Sequence, residues 1–155
     1  MSDQIMEAAL QKITGAAAGA IASIVPGALG TGVRIPEIRE IGIFNVSGVA
    51  AEIGIGYPAA LGTGGITTSA TVQDISNFGA TGATKLVTAY TTLQPTAPTN
   101  FMRRLELQAA VGAGIIFTWN SGEWRPWVGA TINAPVIWQL SALAVTYDVY
   151  IKVAE

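Results

Sequence analysis

The sequence predicts a mostly β protein: an antiparallel β-sandwich or jelly-roll-like barrel, preceded by a partly helical or extended amino-terminal arm. From residue 35 onward, apolar residues recur with a period of two, which is typical of strands with one buried face. Gly, Pro, Asn and Ser separate these runs at short intervals. The first 34 residues are instead rich in Gly and Ala. We therefore expect an arm over 1–34 and a single sandwich domain over 35–155, a length that suits one hydrophobic core.

The amino terminus carries a partial helical pattern. Ser2 can cap a helix, because its side-chain oxygen can accept a free backbone N–H of the first turn. The apolar face of that helix consists of Ile5, Met6, Leu10 and Ile13. The helix should end before Pro26, which lacks the N–H that a helix needs. We expect this face to dock onto other subunits, and we nominate Ile5, Met6 and Leu10 as interface residues.

Residues 13–33 are uncharged and admit three interpretations. They are long enough to span a membrane, but Ala and Gly dominate them and Pro26 interrupts them. A signal peptide would need a basic start and a Leu-rich centre, and acidic residues precede the lone Lys12. An assembly arm, a packed helix, and a membrane or signal segment all stay open. The arm is the interpretation that the residues favour.

The first predicted strands lie on either side of the segment "NVSG" at residues 45–48. The run before it places Ile41 and Ile43 on one face, with Ile38 and Phe44 on or near the other. The run after it, "AEIGIGY", alternates clearly. Asn, Ser and Gly between two such runs predict a hairpin turn. The same segment matches an N-glycosylation pattern, although the turn is the favoured interpretation.

The middle of the chain predicts loops and then strands. Residues 58–83 are rich in Gly and Thr and are expected to be loop-like, and residues 84–93 are a predicted strand. The runs "FMRRLELQAA" and "AGIIFTWN" predict adjacent strands or a hairpin with a bend at "AAVGAG". In the second run, Ile115, Phe117 and Trp119 share one face.

The carboxyl-terminal run alternates most clearly of all. Its apolar face consists of Tyr147, Val149, Ile151 and Val153, and its opposite face of Asp148, Tyr150 and Lys152. The short run "APVIWQL" precedes it and predicts one more strand. The sequence therefore predicts about seven or eight strands and almost no helix after residue 25.

The low charge of the chain indicates a surface covered by partners. Only 12% of the residues are charged, whereas about a quarter is typical of soluble domains. We therefore expect copies of the chain, or a larger assembly, to cover much of the surface. The net charge is −2 and the basic residues are scattered. Direct nucleic-acid binding is not expected, because it requires a basic patch against the phosphates.

The absence of Cys and His limits the chemistry that the chain can perform. It removes thiolates, the commonest general base and the commonest zinc ligand. We therefore expect no catalytic residues, no metal and no organic cofactor. A glycosidase needs two carboxylates, for which Glu106 and Glu123 could be nominated. An Arg lies within two residues of each, which indicates ion pairing instead.

Large aromatic residues cluster in the turn-rich segment around Pro126. Trp124, Arg125 and Trp127 are not needed to form a turn, and exposed Trp and Arg are favoured interface anchors. We nominate these three as interface residues. Two other interpretations stay open: one Trp could fold over the end of the sandwich, or Trp124 and Trp127 could stack on a sugar.

Three stretches resemble small structural proteins of tailed-phage particles, of the head-decoration or cement-type β-sandwich kind. They are "EIGIFNVSGVAAEIGIGYPAALGT", "FMRRLELQAAVGAGIIFTW" and "TYDVYIKVAE", and together they span most of residues 38–155. The resemblance implies a virion protein that stabilises the head lattice after assembly in the host cytoplasm. The implied partners are further copies, with a trimer as one option, and the major capsid protein or other virion proteins. A neck or tail component is an alternative, as is a carbohydrate-binding or membrane-anchored surface module, although a membrane is not the favoured partner.

Overall fold

The computed structural model describes residues 5–15, 18–26, 35–66, 71–74, 81–120, 126, 128 and 134–154. Within them lie eleven strands and no helix. The strands are β1 (Ile5–Gly15), β2 (Gly19–Val25), β3 (Glu37–Asn45), β4 (Ala51–Gly56), β5 (Thr63–Ile66), β6 (Thr71–Asp74), β7 (Thr81–Leu93), β8 (Phe101–Leu107), β9 (Gly114–Thr118), β10 (Val136–Gln139) and β11 (Val145–Ala154). The prediction of a mostly β protein is confirmed. Residues 58–83, expected to be loops, contain β5 and β6.

The strands form two antiparallel halves that pack on each other. Their hydrogen-bonded order is β8-β4-β10-β2-β7-β6-β1-β11-β3-β9, and β5 pairs with β7. We call β8, β4, β10, β2 and β7 the first sheet, and β6, β1, β11, β3 and β9 the second sheet. One buried cluster contains side chains of both sheets, including Ile53 and Ile137 of the first and Ile43 and Val149 of the second. The described strands at the two ends of the order, β8 and β9, do not pair with each other. The sandwich is therefore the supported alternative, and the closed jelly-roll-like barrel is wrong.

The predicted amino-terminal helix is wrong over the described residues, because β1 and β2 are strands inside the sheets. β1 pairs with β11 from Ile5 opposite Ala154 to Gly15 opposite Val145. β2 lies between β10 and β7. Its small residues allow close packing on both faces, and six of its seven residues are buried. Pairing with distant strands thus overrides the helix propensity of Ala. Residues 27–34, part of the predicted arm, lie outside the described residues, and described strands on both sides of residue 34 belong to the same sheets.

The two predicted hairpins are wrong for a shared reason: both connections cross from one sheet to the other. The chain passes from β3 in the second sheet to β4 in the first over residues 46–50. It passes back from β8 to β9 over residues 108–113, where Gly112 adopts a φ of 86°. Local alternation predicts that two strands exist, but it does not say which sheet each one joins.

Asn45 joins the two crossings at one end of the sandwich. Its fully buried side chain donates from Nδ2 to the carbonyl oxygens of Val49, at 2.6 Å, and Gln108, at 3.1 Å. Its Oδ1 accepts from the backbone N–H of Ser47, at 3.0 Å, and from its hydroxyl, at 3.1 Å. The Asn45 amide is thus used as a turn former and a bridge between loops, which agrees with the preference for a turn over a glycosylation site.

Two β-bulges change which residues face the core. The register of β3 against β11 shifts at Arg39, so that Ile38 joins Ile41 and Ile43 in the core instead of facing the opposite side. The register of β8 against β4 shifts at Met102. Phe101 therefore packs in a small cluster with Trp138 on the outer side of the first sheet, whereas Met102 packs against the main core. A bulge inserts one residue and reverses the alternation beyond it.

Candidate interaction surface

The outer face of the second sheet forms a regular grid of side chains from β11, β3 and β9. Directly opposed residues of antiparallel strands point to the same face, so the register defines three rows. The rows are Lys152–Glu40–Thr118, Tyr150–Gly42–Ile116 and Asp148–Phe44–Gly114. The inner face of β11 carries the buried residues that were predicted for it, Tyr147, Val149, Ile151 and Val153. We call the three rows the outer grid.

Two aromatic rings of the outer grid lie over glycines of the neighbouring strand. The ring of Tyr150 covers Gly42, where an added Cβ would lie 2.0 Å from the nearest ring carbon. The ring of Phe44 covers Gly114 in the same way, at 2.2 Å. The ring planes lie within 18° of each other, with centroids 6.2 Å apart. Aromatic side chains that cover glycines replace the missing side-chain contacts of a sheet. The result is a half-exposed aromatic surface beside β9, in which the two rings are nearly parallel.

Glu40 is the carboxylate of the outer grid to which two neighbouring side chains bond. Its Oε1 accepts hydrogen bonds from Lys152 Nζ at 2.8 Å and from the Tyr150 hydroxyl at 2.7 Å. The bond from Lys152, followed by the bond from Tyr150, lowers the pKa of Glu40. The pKa of Lys152 is raised, mainly by the same bond, and burial together with Glu40 raises the pKa of Tyr150 to about 12. These bonds hold the Tyr150 ring in place over Gly42.

The free edge of β9 borders the outer grid. The backbone N–H of Asn45 donates to Ala113 O at 2.7 Å, and the N–H of Trp119 donates to Arg39 O at 2.9 Å. Because successive residues of a strand direct these groups to opposite sides, the N–H and C=O of Gly114, Ile116 and Thr118 point away from β3. Among the described strands, none pairs with this side of β9.

Unlike β8 at the other end of the order, β9 lacks the usual protection of an edge strand. Natural edges are protected by charges, proline or bulges. β8 carries Arg103, Arg104 and Glu106, together with the bulge at Met102. β9 reads Gly-Ile-Ile-Phe-Thr and pairs with β3 without a register shift. Ile115 and Phe117 pack against the core, as predicted, whereas Ile116 is 50% exposed. Among the described strands, the edge that lacks these protections is therefore that of β9.

The nominated amino-terminal residues do not share one exposed face. Ile5 is 46% exposed at the start of β1, whereas Leu10 packs against the main core. Met6 pairs with Val153 of β11 and Asp74 of β6. The helical spacing that grouped these three residues does not apply to a strand, in which Ile5 and Leu10 lie on opposite sides.

The nominated carboxyl-terminal residues, Trp124, Arg125 and Trp127, lie outside the described residues, as does Glu123. The two chain neighbours of Trp127 are described. Pro126 O accepts from the N–H of Ile38, and the N–H of Val128 donates to Pro36 O, both at 2.8 Å. β11 pairs with the beginning of β3 along one side of that strand. Pro126 and Val128 bond to the other side of β3, which is the side on which β9 lies.

The sequence-based reasoning missed the residues that form the outer grid and its edge. Ile116 was included in a strand but not nominated, and neither Phe44 nor Tyr150 was connected with a glycine. The available signal was the placement of Gly42 and Gly114 in strands of large apolar residues. It would have suggested close packing, but the strand register is needed to identify the ring above each glycine.

A shallow cavity of about 470 Å³ lies at the edge of the first sheet. Its lining includes Glu52 and Glu106, which are directly opposed across β4 and β8. Arg104 donates from Nε to Glu52 Oε1, which offsets the repulsion between the two carboxylates. Both carboxylates raise the pKa of Arg104, Glu52 most strongly because of its hydrogen bond. The ion pair was predicted for Glu106, but the carboxylate that bonds to Arg104 is that of Glu52 on the neighbouring strand.

No protein-family model matches the chain, and neither a curated protein nor a solved structure shows significant similarity to it. Among the described residues, no helix has both the length and the apolar character to cross a membrane.

Proposed function

We propose that the protein is a structural subunit of a tailed-phage particle, with head decoration as the favoured role. In this role it joins copies of itself into an assembly. One observation carries the assembly role: β9 offers an uncharged, apolar edge whose free backbone groups have no partner among the described strands. Such an edge is a template for pairing with another chain. The phage setting rests on the resemblance of the sequence to small virion proteins.

The surface near β9 supports the same proposal. Val111, in the turn before β9, is 72% exposed, and Ile116 is 50% exposed. With only 12% of its residues charged, the chain has few groups to keep such a surface in water. In a lattice, many weak contacts act together, because each contact raises the effective concentration for the next. A head lattice therefore suits a subunit whose individual contacts are modest.

Light scattering of the full chain tests the assembly role. We expect a mass above that of a monomer at micromolar concentrations. Ile116→Lys places a charge at the centre of the β9 edge and should return the protein to a monomer. Leu143→Lys is the matched control, because Leu143 is 65% exposed and lies in the connection between β10 and β11, neither of which pairs with β9. A wild-type monomer at high concentration would overturn the assembly role.

The phage setting has its own test. Mass spectrometry of gradient-purified particles should find the protein in many copies, and antibody labelling in the electron microscope should place it on the head. Labelling of the neck or tail would keep a virion role but replace decoration. The absence of the protein from purified particles would overturn the virion role.

Sugar binding is a second candidate function, favoured by the nearly parallel rings of Phe44 and Tyr150. An aromatic surface suits the apolar face of a pyranose, and Glu40 and Lys152 at its border could bond to hydroxyl groups. A glycan array of neutral oligosaccharides, read for wild type and for Phe44→Leu, tests it. Binding that Phe44→Leu removes would support this function, and the absence of binding to any glycan would exclude it.

A further inference from the structure

The free edge of β9 has a geometry that selects its own partner strand. Gly114, Ile116 and Thr118 each direct one N–H and one C=O away from β3, and they are spaced evenly about Ile116. We propose that β9 pairs antiparallel with β9 of a second copy, around a two-fold axis at Ile116. This inference rests on the proposed assembly function and specifies the contact that performs it.

The register of this contact follows from the position of the free groups. A two-fold axis at Ile116 places Ile116 opposite its own copy, and Gly114 opposite Thr118 of the second copy. Each such pair exchanges two backbone hydrogen bonds. All three residues whose backbone groups point away from β3 are then paired within the five-residue strand. A shift of the axis by one or more residues along β9 leaves at least one of them without a partner in the facing β9.

Charge favours β9 rather than β8 as the facing strand. β9 is uncharged, so two copies meet without like charges on the paired strands. β8 carries the exposed Arg103, Arg104 and Glu106, and the guanidinium of Arg103 is engaged over the Trp119 ring at 5.7 Å. Pairing β9 with β8 would place these charges beside Ile116, and the bulge at Met102 would interrupt the ladder.

The contact also joins the two outer grids. Directly opposed residues share a face, so the side chains of the two Ile116 residues would meet on the outer side of one continuous sheet. The Phe44 ring that covers Gly114 lies in the row beside Ile116 in each copy. The apolar surfaces of the two copies thereby become neighbours. An isologous contact of this kind joins copies in pairs and does not by itself close the trimer that the sequence suggested as one option.

Single-cysteine variants test the contact, because the native chain has no cysteine. In the proposed register, the two copies of residue 116 are directly opposed, with Cα atoms about 5.5 Å apart, which lies within the range for a disulfide. Ile116→Cys should therefore form a covalent dimer rapidly on mild oxidation of the full chain. Thr118→Cys is the register control: its two copies would lie about 13 Å apart along the strands and should remain largely uncrosslinked.

The outcomes separate this inference from the proposed function. Rapid crosslinking of Ile116→Cys with little crosslinking of Thr118→Cys supports the two-fold contact. Equal crosslinking of both variants contradicts the register. Oligomers in light scattering without crosslinking of Ile116→Cys overturn this contact but leave the assembly function standing. A wild-type monomer overturns both.

Discussion

At the scale of single residues, Asn45 is the polar side chain on which one end of the sandwich depends. Its amide bonds to Ser47, Val49 and Gln108, and its side chain is fully buried. Each bond is modest in net terms, but a buried partner left without its bond costs about 1–3 kcal/mol. The two crossings between the sheets therefore share one support.

Replacement of Asn45 should lower the stability of the folded protein. We expect Asn45→Ala to lower the free energy of unfolding by about 2 kcal/mol or more, because several partly buried groups lose their partner at once. Urea denaturation followed by fluorescence measures the change. Asn100→Ala is the control at an exposed position, and it should change stability by less than about 0.5 kcal/mol. A loss for Asn45→Ala as small as that of the control would contradict this role.

The bonded cluster around Glu40 predicts a pH dependence. Because the pKa of Glu40 is lowered in the folded protein, its ionised form contributes stability above the ordinary value of 4.5, and that stability is lost as the pH falls through the folded pKa. Glu40→Gln should therefore reduce the loss of stability between pH 6 and pH 3.

The control for this pH dependence is Glu106→Gln, which removes an exposed carboxylate that is not bonded to Lys152 or Tyr150. Urea midpoints at each pH, for wild type and both variants, measure the difference. If Glu40→Gln loses as much stability on acidification as the wild type, Glu40 does not contribute as described.

At the scale of elements, the glycines of β3 and β9 are fitted to the rings above them. An added methyl group at Gly42 would displace the Tyr150 ring, together with its bond to Glu40. We expect Gly42→Ala to destabilise the protein by about 1–2 kcal/mol, within the range of overpacking substitutions.

The same substitution should have the opposite sign once the ring is absent. In a Tyr150→Ala background, Ala at position 42 has no ring to displace, and it is favoured over Gly by about 0.5–1 kcal/mol in a strand. A double-mutant cycle from urea denaturation gives this coupling. Additive effects of the two substitutions would show that the ring and the glycine are independent.

The sequence predicts those features of the strands that depend on residues within a single run, but not those that depend on pairing with distant strands. The inward faces of β9 and β11 follow from alternation within one run, and both predictions are confirmed. The bulges at Arg39 and Met102 reverse the alternation within a run, so Ile38 is not on the face that its run predicts, and Phe101 does not share a face with Leu105. The rings over Gly42 and Gly114 depend on register between strands distant in sequence. No pattern within a single run contains that information.

At the scale of the whole molecule, the strand nearest the amino terminus is an internal strand of the sandwich. β1 lies between β6 and β11, and its first residues pair with the last residues of β11. Such pairing fixes two distant parts of the chain, and the loop that it closes costs entropy before the contact forms. The amino-terminal segment therefore belongs to the cooperative fold, whereas an assembly arm would be separable from it.

Deletion of residues 2–15 distinguishes these two roles of the segment. An arm that only docks onto neighbours could be removed to leave a folded domain. Removal of β1 instead uncovers one edge of β11 and exposes core residues such as Val149 and Ile151, which are buried in the intact chain. We expect the shortened chain to lose cooperative thermal unfolding, measured by circular dichroism, and to aggregate. Deletion of residues 2–4, which precede β1, is the control and should leave the transition cooperative. A shortened chain that unfolds cooperatively but no longer self-associates would restore the arm interpretation and would move the assembly contact from β9 to the amino terminus.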